Sequence, residues 1–506
     1  MAIYFVPNDP LAGPAAPPRR KKKPRRDRPA GRAGFRWHDP APEGLHADGS
    51  PEFLYWQCRE AALAALAAWE RDAGTLPSWQ AGARIDLWQN AVAQLGESQD
   101  LNAFYDRQSL QFFEYDDGTK RTLSGASTDV VAHEAGHGVL DAIRPDLWDA
   151  PYLESAAFHE AFGDCLSLLA ALSDGKSRTA LGAAGPGKRN FVETTAEDLS
   201  DSIRRLDPLH NAAEPRRALN RLRWQLPGTL PASGGPGVLI NESHSFARVF
   251  TGCVWDLFLG LAAGATTSAA LRKAARTVAR LLAAGARTAP SGPRFFQAVG
   301  RAMTLADEES NDGANRVAIR DAFAAHGIAL GSNALLAPSA ALAGSEPRVT
   351  RARAALARPT VRDLAARIGA KAGAKVGVQP WRIAGADVAE ALHRREVTLA
   401  DVSPRLRGVV ALAPEVMLIG ASGRRPAVLG ALPDPASTME EVRSYVSGLL
   451  GRGRIQLDRR AAVSVRGAKV PGWHSHAVKV VAGKKVLVRV RFACGGGAPG
   501  RRRSQQ

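Results

Sequence analysis

Two histidines separated by three residues constrain this chain more than any other feature of its sequence. They belong to the stretch His133-Glu134-Ala135-Gly136-His137, inside a run whose apolar spacing predicts a helix. Residues four apart lie on one face of a helix, so both imidazoles can reach a single metal ion. Glu134 is then close enough to reach a water molecule on that ion. Taken alone, the motif leaves open a helix that carries two histidines and a glutamate by chance.

A third ligand follows in the next predicted helix, residues 160–172. Glu160 supplies a carboxylate, and Asp164, one turn further on, can accept the remaining N–H of a ligating histidine. Two His, one Glu and an open fourth position form the arrangement of a catalytic zinc site, because a closed site leaves no place for water. The sequence therefore predicts one catalytic Zn²⁺. His159 adjoins Glu160 but diverges from it by about 100° around the helix, so we expect a structural role for it.

Several separated stretches agree in order with the thermolysin family of zinc endopeptidases, which the chain resembles from about residue 50 to about residue 330. They are residues 102–105, 123–125, 129–134, 154–155, 160–164, 201–204 and 322–328. The resemblance implies an α+β fold: a two-lobed thermolysin-like zincin with a small β-containing N-terminal lobe and a helical C-terminal lobe. It also implies zinc-dependent hydrolysis of internal bonds in a peptide or protein substrate.

Catalytic roles follow from the same resemblance. His133, His137 and Glu160 would hold zinc, with Asp164 orienting a ligand from behind. Glu134 would be the general base that takes a proton from water and passes it to the leaving amine.

Substrate-binding roles are also implied. Arg204 would hydrogen-bond a substrate carbonyl, and Asn102 with the backbone of Ala103 would hold the peptide as an added strand. His244 would stabilise the oxyanion. The tyrosine that usually helps it is displaced, and Tyr152 is the nearest substitute.

Two further departures from the family bear on function. The acid that orients the oxyanion histidine is displaced, with Glu242 as the nearest candidate, and the acidic calcium-binding run is replaced by residues 170–172, Ala-Ala-Leu. We therefore predict no structural Ca²⁺. The displaced groups also motivate an alternative function: a catalytically weak or inactive zincin-fold module that binds a peptide or partner, with basic tails for nucleic-acid or surface attachment.

Composition divides the chain into five segments. Residues 1–45 are predicted to be a disordered basic Pro-rich tail, 46–329 the thermolysin-like peptidase domain, 330–358 a linker, 359–495 a separate small α+β domain of unknown role, and 496–506 a basic tail. The net charge of +18 is concentrated at the ends. Ten Lys or Arg stand against one Asp between Arg19 and Arg36. A nucleic-acid partner for these tails is not favoured, because no aromatic residues interleave with the charges.

The C-terminal domain carries weaker signals. Helices are predicted at residues 359–367 and 386–394, and Ser437 with Glu440 forms a capping-box pattern at the start of another. Alternating residues on either side of Ala482-Gly483 predict a β-hairpin.

Three features that the sequence does not show bear on the cellular compartment: a membrane span, a secretory signal and a dense cysteine framework. No uninterrupted run of 18 apolar residues occurs, which predicts no membrane span. The first residues do not read as a secretory signal, and the four cysteines form no dense framework. A cytoplasmic location is favoured, and export by another route stays open. The oligomeric state is left open as well.

Overall fold

The computed structural model describes residues 2–331, 377–383, 386–420, 427–429, 434–457 and 474–493. The linker predicted at 330–358 falls outside them from residue 332 onwards. The helix predicted at 359–367 and the tail predicted at 496–506 also lie outside the described residues.

Helices are the main regular structure of the chain before residue 331. They are α1 (Pro51–Ala73), α2 (Ala91–Leu95), α3 (Thr128–Ile143), α4 (Leu153–Ser173), α5 (Gly175–Ala184), α6 (Glu197–Leu206), α7 (Ser243–Ala262), α8 (Ser268–Thr288), α9 (Phe295–Asn311) and α10 (Arg316–Ala325). A further helix, α11 (Pro435–Gly451), lies in the C-terminal part. The helix with the two histidines was predicted correctly, whereas α4 starts seven residues earlier than expected.

Strands build a small sheet in the N-terminal lobe and a larger one in the C-terminal part. They are β1 (Ile3–Phe5), β2 (Arg20–Lys22), β3 (Gly34–Trp37), β4 (Arg84–Trp88), β5 (Ala103–Tyr105), β6 (Ser109–Phe112), β7 (Glu114–Asp116), β8 (Arg121–Leu123), β9 (Thr194–Thr195), β10 (Arg216–Arg217), β11 (Gly377–Ile383), β12 (Ala386–Thr398), β13 (Val409–Gly420), β14 (Ala427–Leu429), β15 (Ile455–Gln456), β16 (His476–Val481), β17 (Lys484–Arg489) and β18 (Phe492–Ala493). The N-terminal sheet has the order β18-β5-β6-β4-β3, and the C-terminal sheet has the order β11-β12-β13-β17-β16-β15 with β14 beside β13.

Helices α3 and α4 pack at the centre of the helical lobe, beside α1 and α7. Helix α3 begins where the Ser127 side chain accepts a hydrogen bond from Val130 N, with Asp129 in the positively polarised first turn. Sixteen residues later it ends at Ile143. The mixed α/β architecture with a helical core confirms the predicted fold class.

Two glycines set the spacing between α3 and α4. A Cβ atom on Gly136 would lie 2.7 Å from Gly163 Cα, and one on Gly163 would lie 2.7 Å from His133 Nδ1. The two backbones therefore approach more closely than any side chain would allow. This close approach brings the histidines of α3 against the face of α4 that carries Glu160.

The N-terminal basic segment is ordered, and the prediction of disorder over residues 1–45 is wrong over its described part. Strand β1 pairs antiparallel with β2, and Ile3 and Phe5 are buried. Arg20 pairs with Asp174, and Lys22 Nζ lies 2.6 Å from Glu60 Oε2. The composition argument failed because these acidic partners, which neutralise the basic run, come from distant parts of the chain.

Further basic residues of this segment are held in the same way. Arg28 donates two hydrogen bonds to the Glu70 carboxylate, and Trp37 donates from Nε1 to Asp27. The segment thus folds against α1 and the end of α4.

The C-terminal part, predicted as a separate domain, contacts the rest of the chain at several places. Strand β18 extends the N-terminal sheet by pairing with β5, and Trp148 Nε1 donates to the Arg489 carbonyl over 3.1 Å. Arg294 Nη1 also lies 2.7 Å from Glu441 Oε1. We call residues 377–493, in their described parts, the C-terminal unit.

Local structure in this unit was predicted in part. The hairpin at Ala482-Gly483 is confirmed, since β16 and β17 pair antiparallel on either side of it. The helix predicted at 386–394 is wrong, because those residues belong to β12, which pairs with both β11 and β13. The third helix opens at Pro435 with Asp434 as its cap, three residues before the predicted start.

Helix α7 is the one described helix that is long and apolar enough to cross a membrane. Seventy-two per cent of its apolar stretch is buried inside the protein. It packs against α4, α8 and α10, as the core helix of a folded domain does.

Candidate metal centre and active site

Three side chains from two adjacent helices converge on one point. His133 and His137 project from the same face of α3, and Glu160 lies in the second turn of α4 rather than at its start. Glu160 Oε2 is 3.3 Å from His133 Nε2 and 3.6 Å from His137 Nε2. All three residues are buried.

The spacing of these atoms fits a tetrahedral metal ion. Two ligands bound at zinc distances to one tetrahedral ion lie about 3.4 Å apart. His133 Nε2, His137 Nε2 and Glu160 Oε2 are buried without a hydrogen-bond partner in the described structure. A buried polar atom without a partner is destabilising, so three of them at this spacing indicate that a bound ion would contact all three. The donor set of two imidazoles and one carboxylate suits Zn²⁺.

A carboxylate and a guanidinium hold the first histidine from behind. Asp164 Oδ1 lies 2.8 Å from His133 Nδ1, so the Nδ1 proton is donated to the carboxylate and Nε2 is turned toward the ligand cluster. Arg216, in β10, donates to the same Asp164 oxygen from Nη2 over 2.9 Å. Asp164 is therefore fixed from two sides.

Burial and neighbouring charges shift the pKa values of these groups in opposite directions. Burial opposes a charge on His133, but the Asp164 and Glu160 carboxylates outweigh it and raise the His133 pKa to about 9. Burial lowers the His137 pKa to about 4. Burial would raise the Glu160 pKa, yet His244 and His137 hold it well below its usual range. Glu160 is thus an ionised carboxylate among imidazoles, as a metal ligand must be.

Glu134 lies on α3 directly after the first ligand. Its carboxylate is buried, and neither oxygen has a hydrogen-bond partner within the described structure. Burial raises its pKa to about 8. A general base works best when its pKa lies near the working pH, so the environment of Glu134 suits proton transfer.

His244 faces the cluster from the start of α7. Its Nε2 lies 3.1 Å from Glu160 Oε2, and its Nδ1 lies 2.7 Å from Glu242 Oε1. Burial disfavours a charge on His244, but Glu160 and Glu242 raise its pKa to about 10. Glu242 also caps α7 by accepting from Ser245 N over 2.9 Å, which anchors the carboxylate that holds the imidazole.

Comparison with known proteins agrees with this geometry. Residues 106–334, which include all of these side chains, match the family model of the fungalysin metallopeptidases, M36. The chain is a zinc metalloendopeptidase. The match is to the fungalysins and does not single out the thermolysin family, a related group of His-His-Glu peptidases. No curated protein matches the chain.

The arginine predicted to bind substrate lies apart from the ligand cluster in the structure, and a different arginine approaches it. Arg204 lies in the last turn of α6 with an exposed side chain and pairs with Asp201, and no contact in the described structure joins it to the ligands. Arg216 instead lies 3.4 Å from His133 Nδ1. Sequence reasoning missed Arg216 because it lies in a two-residue strand that has no motif around it. The nearest signal was the dipeptide Arg216-Arg217 in an otherwise polar loop.

The other substrate-binding predictions are placed as follows. Asn102 is buried, its Oδ1 accepts from Ala103 N over 3.0 Å, and Ala103 opens strand β5. Tyr152 immediately precedes α4, and its hydroxyl donates to the Pro414 carbonyl over 3.0 Å. That hydroxyl is therefore committed to the C-terminal unit and does not reach the ligand cluster.

His159 is buried beside Glu160 and has no hydrogen-bond partner in the described structure. Its ring lies 5.8 Å from that of His137. Burial lowers the His159 pKa well below its usual value, so the ring is neutral. This placement agrees with a structural role and not with metal ligation.

A second group of acidic side chains lies near the start of α3. Ligand atoms of Asp9, Asp129 and Glu197 fall within 4.8 Å of one another. Asp9 comes from the N-terminal segment, and its burial raises its pKa well above the usual value. The prediction of no structural calcium remains untested by this arrangement.

Proposed function

We propose that the chain cleaves internal peptide bonds by the division of roles that the resemblance to thermolysin implies. The observation that carries the proposal is the convergence of the buried atoms His133 Nε2, His137 Nε2 and Glu160 Oε2 on one point. These three groups would hold Zn²⁺. When bound, the ion would polarise water and lower its pKa toward about 7.

Proton transfer falls to Glu134. Its free carboxylate oxygens can accept a proton from the attacking water and return it to the nitrogen of the leaving amine. Burial keeps its pKa near neutral, so the same group can serve as base and then as acid.

His244 would stabilise the negative charge that develops on the substrate carbonyl oxygen. Burial opposes a charge on this imidazole, but Glu160 and Glu242 raise its pKa, and its Nε2 faces the cluster. A fixed cationic donor of this kind stabilises negative charge that develops on the carbonyl oxygen. Asp164 and Arg216 position His133 and take no part in bond making.

The alternative of an inactive binding module was motivated by two displaced groups. One of them no longer supports it, because Glu242 lies 2.7 Å from His244 Nδ1 despite its shifted place in the sequence. A module that only binds has no need for an unpartnered glutamate beside the metal. Partner binding through free basic tails is also weakened, since Arg20, Lys22 and Arg28 are paired within the fold.

The test compares Glu134→Gln with wild type on a pool of short peptides, with zinc content measured in both. We expect one zinc per chain in each, and kcat lower by about 10²–10⁴-fold in the variant. Glu309→Gln, on the exposed surface of α9, is the matched control. Equal hydrolysis by Glu134→Gln and wild type would refute the assignment.

A further inference from the structure

Strand β5, on which a substrate was predicted to add as a strand, is second from the edge of the N-terminal sheet. On one side it pairs antiparallel with β6. On the other side it pairs antiparallel with β18, with Phe492 opposite Tyr105 and Ala493 opposite Phe104. The chain's own C-terminal unit therefore occupies the edge to which an extended peptide would bind.

The side chain of Phe492 reaches the metal ligands. Its ring stacks on that of His137 with a centroid separation of 4.7 Å and an interplanar angle of 17°. It also stacks on His159 at 4.1 Å and meets the edge of Trp148 at 5.4 Å. Phe492 is 1% exposed, so it fills this space completely.

The ring covers the ligand cluster on the side of His137. His133, Glu134 and His137 each show no exposed surface. A peptide that lies along β5 and brings a carbonyl to the ligand cluster needs the volume that β18 and the Phe492 ring take up. Hydrolysis of a polypeptide thus requires this strand to move.

Several contacts hold the strand in place. Arg489, three residues before Phe492, donates from its backbone N to Asp149 Oδ1 over 2.8 Å and from Nη2 to the Tyr445 hydroxyl over 2.7 Å. Its guanidinium carbon also lies 3.9 Å from the centre of the Phe492 ring. Tyr445 belongs to α11, so the strand is tied to the body of the C-terminal unit.

The same unit engages a second group near the active site. The Tyr152 hydroxyl, the predicted helper of the oxyanion, donates to Pro414 in β13. Two distinct elements, β18 and β13, therefore contact the two parts of the cleft assigned to substrate.

We propose that the C-terminal unit is a built-in inhibitor of the peptidase, which acts by laying β18 along β5 in the manner of a substrate. The inference rests on the proposed function. It assigns a role to a region that carries no recognisable motif, and it gives the intact chain a low basal activity that displacement of β18 would raise.

The first experiment measures kcat/KM of the full-length, zinc-loaded chain on a pool of quenched fluorescent peptides. Phe492→Ala removes the ring that covers His137, and Phe492→Leu keeps an apolar side chain there. Val480→Ala, at an exposed position of β16 in the C-terminal unit, is the control. We expect kcat/KM to rise at least about tenfold in Phe492→Ala and to stay near wild type in the other two.

The second experiment reports occupancy of the cleft without relying on activity. Hydrogen exchange of the β5 amides is compared between wild type, Phe492→Ala and the double variant Arg489→Ala/Phe492→Ala, which also removes the anchor. We expect faster exchange in the variants. A synthetic peptide with the sequence of residues 487–493 should inhibit the opened variant competitively.

Each outcome has one meaning. Faster exchange on β5 with unchanged kcat/KM would overturn the inhibitor assignment and leave the peptidase standing. Unchanged exchange in both variants would overturn it as well, because Phe492 and Arg489 would then not hold the strand. Faster exchange with no hydrolysis by any zinc-loaded form would refute the proposed function itself, and the inhibitor role with it.

Discussion

Arg216 Nη2 lies 2.9 Å from Asp164 Oδ1, the same carboxylate oxygen that lies 2.8 Å from His133 Nδ1. The carboxylate thus bridges a permanent cation and a metal ligand. Groups of this kind fix the tautomer and direction of a ligating histidine, and their loss lowers metal affinity by about 10–100-fold.

Replacing Arg216 should therefore weaken zinc binding. We expect Arg216→Ala to lower zinc affinity by about 10–100-fold, measured by competition with a chromophoric chelator. Arg204→Ala serves as the control, since that side chain is exposed and pairs with Asp201. An equal loss of zinc affinity in both variants would contradict the positioning role given to Arg216.

His244 should matter for catalysis and not for metal content. We expect His244→Ala to bind one zinc per chain and to lose about 10²–10³-fold in kcat, because one donor to the developing oxyanion is removed. His46→Ala, which removes a half-buried imidazole that contacts the Pro42 carbonyl and no residue of the site, should keep wild-type kcat. Loss of zinc from His244→Ala would instead make this histidine a ligand.

Gly163 should tolerate no side chain. A Cβ there would lie 2.7 Å from His133 Nδ1, so Gly163→Ala should lower the free energy of unfolding by about 1–3 kcal/mol and impair zinc binding. Gly260→Ala in α7 is the matched control, because the nearest atom to its new Cβ is 3.7 Å away. That substitution should be neutral or stabilising by up to about 1 kcal/mol, measured by urea denaturation.

Stability should depend on pH through Glu154. Burial raises the pKa of this carboxyl from 4.5 to about 7, against the hydrogen bond from Phe296 N. The folded state therefore holds its proton more tightly than the unfolded chain. Protonated Glu154 makes its full contribution to the free energy of unfolding below pH 4.5. That contribution is lost as the pH rises to about 7, which lowers the free energy of unfolding by about 3 kcal/mol.

Glu154→Gln tests that dependence. We expect urea denaturation of the variant to show a smaller fall in unfolding free energy between pH 4.5 and 7 than wild type shows. Glu309→Gln should keep the wild-type slope. Identical slopes in Glu154→Gln and wild type would contradict the shifted pKa.

Order in the basic N-terminal segment can be tested by trypsin. A disordered run of lysines and arginines is cut quickly, whereas residues held in β2 and by ion pairs resist cleavage. We expect residues 19–28 to survive in wild type and to be cut in Glu60→Ala, which removes the partner of Lys22. Rapid cutting of the wild-type segment would favour the disorder expected from composition.

The metal ligands could be predicted because local rules govern them. His133 and His137 follow from helical spacing, and Glu160 with Asp164 follows from the same four-residue repeat on α4. The hairpin at Ala482-Gly483 was also predictable, because its alternation and turn residues lie within a few positions of each other.

The remaining features depend on partners that are distant in the sequence. Arg20 is ordered by Asp174, and β12 is a strand because β11 and β13 flank it, although residues 386–394 were predicted to form a helix. Phe492 gave no signal, since nothing in its neighbourhood indicates that it stacks on His137. Contacts of this kind become visible only once the chain is folded.

The strand that covers the cleft is also among the last described parts of the chain to be synthesised. Tyr105, its partner in the sheet, precedes Phe492 by 387 positions. A ribosome adding about 5–20 residues per second needs roughly 8–30 s to pass from residue 330 to Phe492. Because domains fold as they emerge from the ribosome, the residues around the ligand cluster can fold before β18 has been made. Each newly made molecule would thus have an open cleft for a short time. During that time the nearest polypeptide that could enter the cleft is its own unfinished C-terminal part.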